Sequence, residues 1–161
     1  MKYLFLFFIS TALFAQKKKN LDSLPALEKL IIYNYTPRPN HGYILTFYKK
    51  SSIPKVLKKA LKKRYSNFRI ANPGKKFRET DVVSNAHLPP RQLLFTVRNA
   101  NYCSVVYRQG GRSLGTYFAF SEIIDNKVTL LHVYYLSGPT INTYDDFVNA
   151  IRQGNFSELS F

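Results

Sequence analysis

The sequence predicts an α+β domain in which helices pack on a mostly antiparallel sheet. Apolar residues recur with a helical period at 21–35, at 52–65 and again near the C-terminus. Between residues 92 and 136, four runs rich in aromatic and β-branched residues are separated by short turn sequences. The expected order is therefore α-β-α, an irregular loop, a four-strand meander β-β-β-β in the C-terminal half, and a final α.

The first helix is predicted at 21–35, in the sequence LDSLPALEKLIIYNY. Asp22 or Ser23 is suited to cap it, and its buried stripe would consist of Leu24, Leu27, Leu30 and Ile31. The sequence TPRPNHG at 36–42 contains two prolines and a glycine, which end the helix and form a turn. A strand is then expected in YILTFY at 43–48.

The second helix is predicted within SIPKVLKKALKKRY at 52–65. At about 100° per residue, its apolar residues fall within one arc of roughly 140° and its lysines fall on the opposite arc. Ser51 or Ser52 is expected to cap this helix, with Pro54 in its first turn. The apolar arc contains Ile53, Val56, Leu57, Ala60 and Leu61, and the candidate residues for binding an anionic surface are Lys55, Lys58, Lys59, Lys62, Lys63 and Arg64.

Residues 66–90 form an irregular stretch with no sustained hydrophobic period. A short strand is expected at Phe68–Ala71, followed by a turn at 72–74, where the sequence is Asn-Pro-Gly. An irregular stretch of this length is uncommon in a small domain and often has a function.

The first hairpin of the meander is predicted from QLLFTVR at 92–98 and YCSVVYR at 102–108. Pairing these runs around a three-residue loop places apolar residues of both strands on one face. The expected pairs are Leu93 with Tyr107, Phe95 with Val105, and Val97 with Cys103. Cys103 is the only cysteine of the chain, and this register predicts a small buried hydrophobic residue rather than a catalytic thiol.

The second hairpin is predicted around a two-residue turn at Asp125 and Asn126, which accept left-handed conformations. The expected register pairs Phe120 with Leu131 and Phe118 with Val133 on one face, and Tyr117 with Tyr134, Ala119 with His132 and Ile123 with Val128 on the other. Both faces would then be apolar. Either helices cover both faces, or one face is an aromatic binding surface, for which the candidate ligand residues are Tyr117, His132 and Tyr134.

A third helix is expected from Tyr144 to Gln153, with Thr143 as its cap and Gly154 at its end. Asp145 and Asp146 lie in its first turn, where the helix dipole favours negative charge. These two carboxylates are therefore better explained by the start of a helix than by acid–base catalysis.

Residues 1–15 predict a signal peptide. Met1 and Lys2 form a short charged region, and the following apolar run is shorter than the roughly 20 residues that span a bilayer. Cleavage is expected after Ala12 or Ala15, although the three lysines at 17–19 leave an uncleaved anchor as an alternative. Residues 16–161 would then form a single exported domain without a transmembrane span, located in the periplasm or outside the cell. The abundance of Lys, Asn, Ile, Phe and Tyr is typical of an AT-rich genome and favours a bacterial source.

Positive charge is concentrated in one half of the chain. Residues 16–78 contain 17 Lys or Arg against Asp22 and Glu28, whereas residues 79–161 contain 6 Lys or Arg against 7 Asp or Glu. Nucleic acid is the usual partner of a lysine stripe, but an exported protein rarely meets it and the sequence has no nucleic-acid-binding motif. The expected partner is an anionic envelope surface or an acidic protein. The alternative is that the lysines are only the solvated side of a helix.

The sequence contains no catalytic or metal-binding motif. His41, His87 and His132 are far apart and lack acidic neighbours at ligand spacing. Glu79 and Asp81 have basic neighbours, which favours a charge-paired loop over acid–base chemistry. No cofactor and no metal are expected.

Two functional hypotheses follow from these observations. The leading hypothesis is a small exported binding domain whose basic helix is suited to anionic surfaces or to an acidic partner. The alternative is a small-ligand-binding or enzymatic domain that uses the aromatic sheet face around His132.

Overall fold

The computed structural model describes residues 26–35, 43–65, 68–81, 86–138 and 140–159. Over these residues the chain forms three helices and one seven-stranded sheet, which confirms the predicted α+β class and the C-terminal meander. The helices are α1 (Ala26–Tyr35), α2 (Lys55–Arg64) and α3 (Tyr144–Arg152). The predicted signal peptide, the turn at 36–42 and the first five residues of the predicted first helix lie outside the described residues.

The strands are β1 (Leu45–Phe47), β2 (Ile70–Ala71), β3 (Arg91–Arg98), β4 (Tyr102–Gln109), β5 (Gly115–Ile124), β6 (Lys127–Leu136) and β7 (Phe156–Glu158). Their order in the sheet is β1-β3-β4-β5-β6-β7, and β2 pairs in parallel with the beginning of β3 beside β1. All other pairings between these strands are antiparallel. The sequence did not predict β7, which adds a short edge strand to β6.

Helices cover both faces of the sheet. Phe118 and Phe120 of β5 belong to a core beneath α1 and α3, whereas Ala119 between them belongs to a core beneath α2. Successive residues of a strand point to opposite faces, so the domain has three layers. We refer to the two sides as the α1–α3 face and the α2 face.

The α1–α3 face is an aromatic core. The Phe118 ring stacks on Tyr134 at a centroid distance of 4.9 Å and meets Phe147 of α3 edge-on at 5.3 Å. Tyr35 of α1 is buried here, and its hydroxyl donates a hydrogen bond of 2.7 Å to Oγ of Ser104. Aromatic pairs in these geometries add attraction beyond that of burial, so this face holds both helices firmly on the sheet.

The α2 face is covered by α2 and the segment that follows it. Ile53, Leu57 and Leu61 are at most 1 % exposed and pack on the sheet. The predicted serine cap is wrong: Pro54 occupies the N-cap position, and no side chain caps the helix. Ser52 instead closes a 3₁₀ turn at Lys50–Ser52, where its hydroxyl donates to the carbonyl of Lys49.

The predicted register of the first hairpin holds at one end only. Leu93 pairs with Tyr107 as expected, but an irregularity between Leu93 and Phe95 shifts the rest by one residue. Phe95 therefore pairs with Val106 and lies on the α1–α3 face, opposite to Leu93. The extra residue of a β-bulge reverses the direction of every side chain beyond it, which is the physical reason for the error.

The second hairpin contains a bulge as well. Asp125 and Asn126 have φ values of +48° and +58°, which confirms the two-residue turn, and Ile123 pairs with Val128 as predicted. Beyond the irregularity at Glu122 and Ile123, the register moves by one residue. The observed pairs are Phe120 with His132, Ala119 with Val133, Phe118 with Tyr134, and Tyr117 with Tyr135.

The start of α3 is as the sequence predicts. Thr143 is the N-cap, its side chain accepts a hydrogen bond from the N–H of Asp146, and the Asp146 carboxylate accepts from the N–H of Thr143. Backbone hydrogen bonds from Asn142 and Thr143 hold the pKa of Asp146 below its usual value. The helix ends before Gly154, whose φ of +67° suits glycine.

Candidate anion-binding site

The lysines of α2 point away from the core, as their spacing predicts. Lys55, Lys59, Lys62, Lys63 and Arg64 are exposed, and Lys58 is half-buried. The helix contains no acidic residue that could neutralise them. The α2 face therefore carries a dense positive charge on its outer side.

A groove runs along one side of α2 and has a cavity volume of about 320 Å³. Its apolar floor is formed by Ile53, Phe68, Ile70 and Pro89, and its cationic rim by Lys50, Lys58, Lys62 and Arg69. Ligand pockets commonly combine an apolar lining with a few polar groups in a volume of roughly 300–1,000 Å³. The groove therefore has the size and composition of a site for a small amphipathic molecule.

The irregular stretch after α2 builds the far wall of this groove. Arg69 donates hydrogen bonds of 3.0–3.3 Å to the carbonyl oxygens of Ala86, His87 and Leu88, which ties these residues to β2. The side chain of Asn72 accepts a hydrogen bond of 2.8 Å from the N–H of Lys50, which places the 3₁₀ turn beside the groove. A structural role for part of the 66–90 stretch is thus to shape this cavity.

Only two of the six predicted cationic residues border the groove, namely Lys58 and Lys62. Lys55, Lys59 and Lys63 are exposed and do not line it, and Arg64 lines a different cavity. Lys50 and Arg69 also line the groove, and they come from separate segments of the chain that the sequence pattern did not connect with α2. Both residues lie within 16–78, and the excess of positive charge in this segment is the sequence feature that could have indicated them.

The three candidate ligand residues do not form the predicted aromatic face. Tyr117 lies on the α2 face, where its ring stacks on Tyr107 at 5.8 Å, whereas Tyr134 is buried against Phe118 on the opposite side. His132 lies on the same side as Tyr134 and pairs with Glu158 of β7 through Nδ1. Because Tyr117 and His132 are on different faces of the sheet, they cannot bind one small ligand together.

Burial keeps two titratable groups of the core, the Cys103 thiol and the Tyr134 hydroxyl, in their neutral forms, because it raises the pKa of each. Cys103 is buried, and burial raises the pKa of its thiol to about 12, so it is protonated at neutral pH. Burial likewise raises the pKa of the Tyr134 hydroxyl, with a further increase from the nearby Glu158 carboxylate. In the part of the chain that the structure describes, no group of three His, Cys, Asp or Glu side chains is placed to bind a metal ion.

Comparison of the chain with family models, with curated proteins and with solved structures finds no significant match. None of the helices within the described residues is long and apolar enough to cross a membrane. The function is therefore inferred from the chemistry of the α2 face.

Proposed function

We propose that the protein is an exported binding domain that attaches through the α2 face to an anionic partner, and that the groove beside α2 accepts an amphipathic anion. The observation that carries this proposal is the cationic rim of Lys50, Lys58 and Lys62 around an apolar floor. A helix face that is merely solvated would have exposed lysines without an apolar groove beside them. Here the lysines of the rim and the apolar floor line one groove, so a single bound molecule would contact both.

The ligand class follows from the composition of the groove. An acidic headgroup would lie against Lys58 and Lys62, and an acyl or ring-shaped apolar part would pack on Ile53 and Phe68. Anionic lipids and related amphiphiles are abundant negative molecules of the cell envelope, which agrees with the proposed export. Attachment would be peripheral, because Leu57 and Leu61 of α2 are committed to the core rather than to a bilayer.

The small-ligand alternative is favoured at the groove rather than at His132. Tyr117 and His132 lie on opposite faces, which removes the predicted aromatic site. The groove offers an apolar floor within reach of charged side chains. Catalysis has no comparable observation in its favour.

Charge reversal tests the attachment. The double variant Lys58→Glu, Lys62→Glu should weaken binding to heparin and to phosphatidylglycerol vesicles by roughly tenfold or more, since about 1.4 kcal/mol corresponds to tenfold. The matched control is Lys29→Glu with Arg152→Glu, two exposed residues on the helices of the opposite face. The binding should also weaken as salt rises and the Debye length falls to about 3 Å near 1 M.

Two outcomes would contradict the proposal. Equal loss in the control would mean that binding follows net charge and not the α2 face. Equal loss on reversing Lys17 and Lys18 would assign the attraction to the N-terminal segment instead.

A matched pair of small molecules tests the apolar floor. Sodium decanoate below its micelle concentration should bind, whereas acetate, with the same headgroup and no apolar chain, should not. Binding of decanol as strong as that of decanoate would refute the role of the cationic rim. Titration calorimetry on the wild type and on Lys58→Glu, Lys62→Glu measures both contributions.

Export has its own test. The intact mass of protein recovered from the envelope or medium of the native host should correspond to a chain that begins at Leu13 or Gln16. A full-length chain that stays with membranes after a carbonate wash would favour the uncleaved anchor.

A further inference from the structure

A second cavity lies at the C-terminal end of α2 and differs in chemistry from the groove. It has a volume of about 430 Å³ and is lined by Arg64, Tyr65, Arg78, Pro90, Arg91, Gln109 and Gly110. Three of these seven residues are arginines, and none is Asp or Glu. The sequence pattern placed Arg78 only among the basic neighbours of Glu79 and Asp81 and gave no role to Arg91, because both arginines are distant from α2 along the chain.

Arg91 is the most buried of the three arginines of this cavity. It is only 9 % exposed, and its guanidinium carbon lies 4.8 Å from the Phe68 ring centroid, 5.6 Å from Tyr65 and 6.0 Å from Tyr107. Cation–π attraction to three rings offsets part of the cost of burying the charge. The rings also fix the side chain in place, so little conformational entropy remains to be lost when an anion binds.

The other two arginines are positioned by long-range backbone contacts. Arg64 donates a hydrogen bond of 2.9 Å to the carbonyl oxygen of Leu131 on β6, which holds it over the sheet. The N–H of Arg78 donates to the carbonyl of Pro89 at 2.9 Å.

Gly110 makes the Arg78 position possible, because a Cβ atom there would lie 2.1 Å from the Arg78 carbonyl oxygen. The glycine therefore allows the chain to bring Arg78 beside Arg91. The loop that follows β4 thus has a packing role at its first glycine.

We propose that this arginine cavity binds a tetrahedral oxyanion, the phosphate or sulfate group of a ligand. The planar guanidinium presents donors in a fork that matches two oxygens of such a group. Three positive charges around one cavity favour a dianion over a monocarboxylate. The arginine cavity is separate from the groove beside α2, since the two cavities share no lining residue.

Titration calorimetry with inorganic phosphate and inorganic sulfate, against chloride at equal ionic strength, tests the site. The double variant Arg64→Gln, Arg78→Gln should reduce phosphate affinity by about tenfold or more, because each removed guanidinium takes away charge-assisted hydrogen bonds. The matched control is Arg98→Gln with Arg152→Gln, exposed arginines at the far end of β3 and on α3. A urea titration of each variant excludes loss of fold as the cause.

Further variants separate this site from the groove. Arg91→Lys keeps the charge and loses the planar fork, so phosphate affinity should fall while heparin binding persists. Lys58→Glu, Lys62→Glu should weaken heparin binding by roughly tenfold or more and keep most of its phosphate affinity. The proposal for one site can therefore be refuted while the proposal for the other stands.

Vesicles that contain phosphatidic acid distinguish the source of the group. A loss of vesicle binding in Arg64→Gln, Arg78→Gln beyond that in the control assigns the cavity to a lipid phosphate. Unchanged vesicle binding with lost inorganic phosphate binding assigns it to a free oxyanion. Phosphate that binds no better than chloride, or that binds the variant as well as the wild type, would overturn the proposal.

Discussion

The α1–α3 face and the α2 face use alternate residues of the same strands, yet they are covered in different ways. Two helices and a set of interlocked aromatic rings close the first face. A single ten-residue helix and an irregular segment cover the second face. The groove with the lysine rim and the arginine cavity both lie on this face. The proposed function would give the two faces a division of labour, in which the first face supplies stability and the second binds the anionic partner.

The strongest test of this division compares one large core substitution on each face. Phe118→Ala should cost about 3–5 kcal/mol of unfolding free energy, and Leu57→Ala about 2–5 kcal/mol, since both side chains are fully buried. Their effects on heparin affinity should differ. Leu57→Ala loosens the helix that carries the lysines and should weaken binding, whereas Phe118→Ala should leave the affinity of the folded fraction unchanged.

Urea titration gives the stability of both variants, and heparin titration at a temperature where each remains folded gives the affinity. An equal loss of affinity in the two variants would mean that the faces are not separable in this way. The division of labour would then be an effect of overall stability.

The fold class could be predicted from the sequence. The face of the sheet to which each strand residue points could not be predicted throughout. Helical periods, the Asp125–Asn126 turn and the Thr143 cap are local signals, and the structure confirms them. The two bulges leave no local signal here, because strands covered on both faces are apolar at successive positions and tolerate either register. Each prediction was correct on one side of its bulge and wrong beyond it. The strand β7 was not predicted, because a strand of three residues is too short to show an alternating hydrophobic pattern.

The candidate site was predictable only in part, for a similar reason. The amphipathic period of α2 correctly places Lys58 and Lys62 on its outer side. The rest of the groove rim, and Arg78 and Arg91 of the second cavity, come from residues that only tertiary packing brings close. The sequence shows that these residues are charged, but it does not show that they lie close together in the fold.

A smaller effect is expected at the cap of α3, which stabilises the α1–α3 face. Thr143→Ala removes the side-chain cap and should cost about 0.5–2 kcal/mol. The lowered pKa of Asp146 adds a pH dependence. Its carboxylate stabilises the fold above the ordinary value of 3.8, and this contribution is lost as the pH falls through the lower, folded-state pKa.

Asp146→Asn should therefore lower the urea midpoint at pH 7, and its difference from the wild type should shrink as the pH falls below 3.8. Asp145→Asn is the matched control in the same turn of the helix. A difference between Asp146→Asn and the wild type that does not shrink in acid would argue against the capping box as its cause. Neither variant should alter heparin binding at pH 7.

The smallest effect is expected at His132, which the sequence placed at the centre of an aromatic binding face. The structure instead pairs it with Glu158 at the edge of the sheet, where the two side chains are 28 % and 43 % exposed. An ion pair this accessible to water contributes at most about 1 kcal/mol. His132→Ala, Glu158→Gln and the double variant should thus show a coupling energy below about 1 kcal/mol in urea titrations. Because the pair lies on the opposite side of the sheet from α2, all three variants should bind heparin and decanoate as the wild type does. A loss of decanoate binding in His132→Ala would return the ligand site to the α1–α3 face, and the division between the two faces would fail.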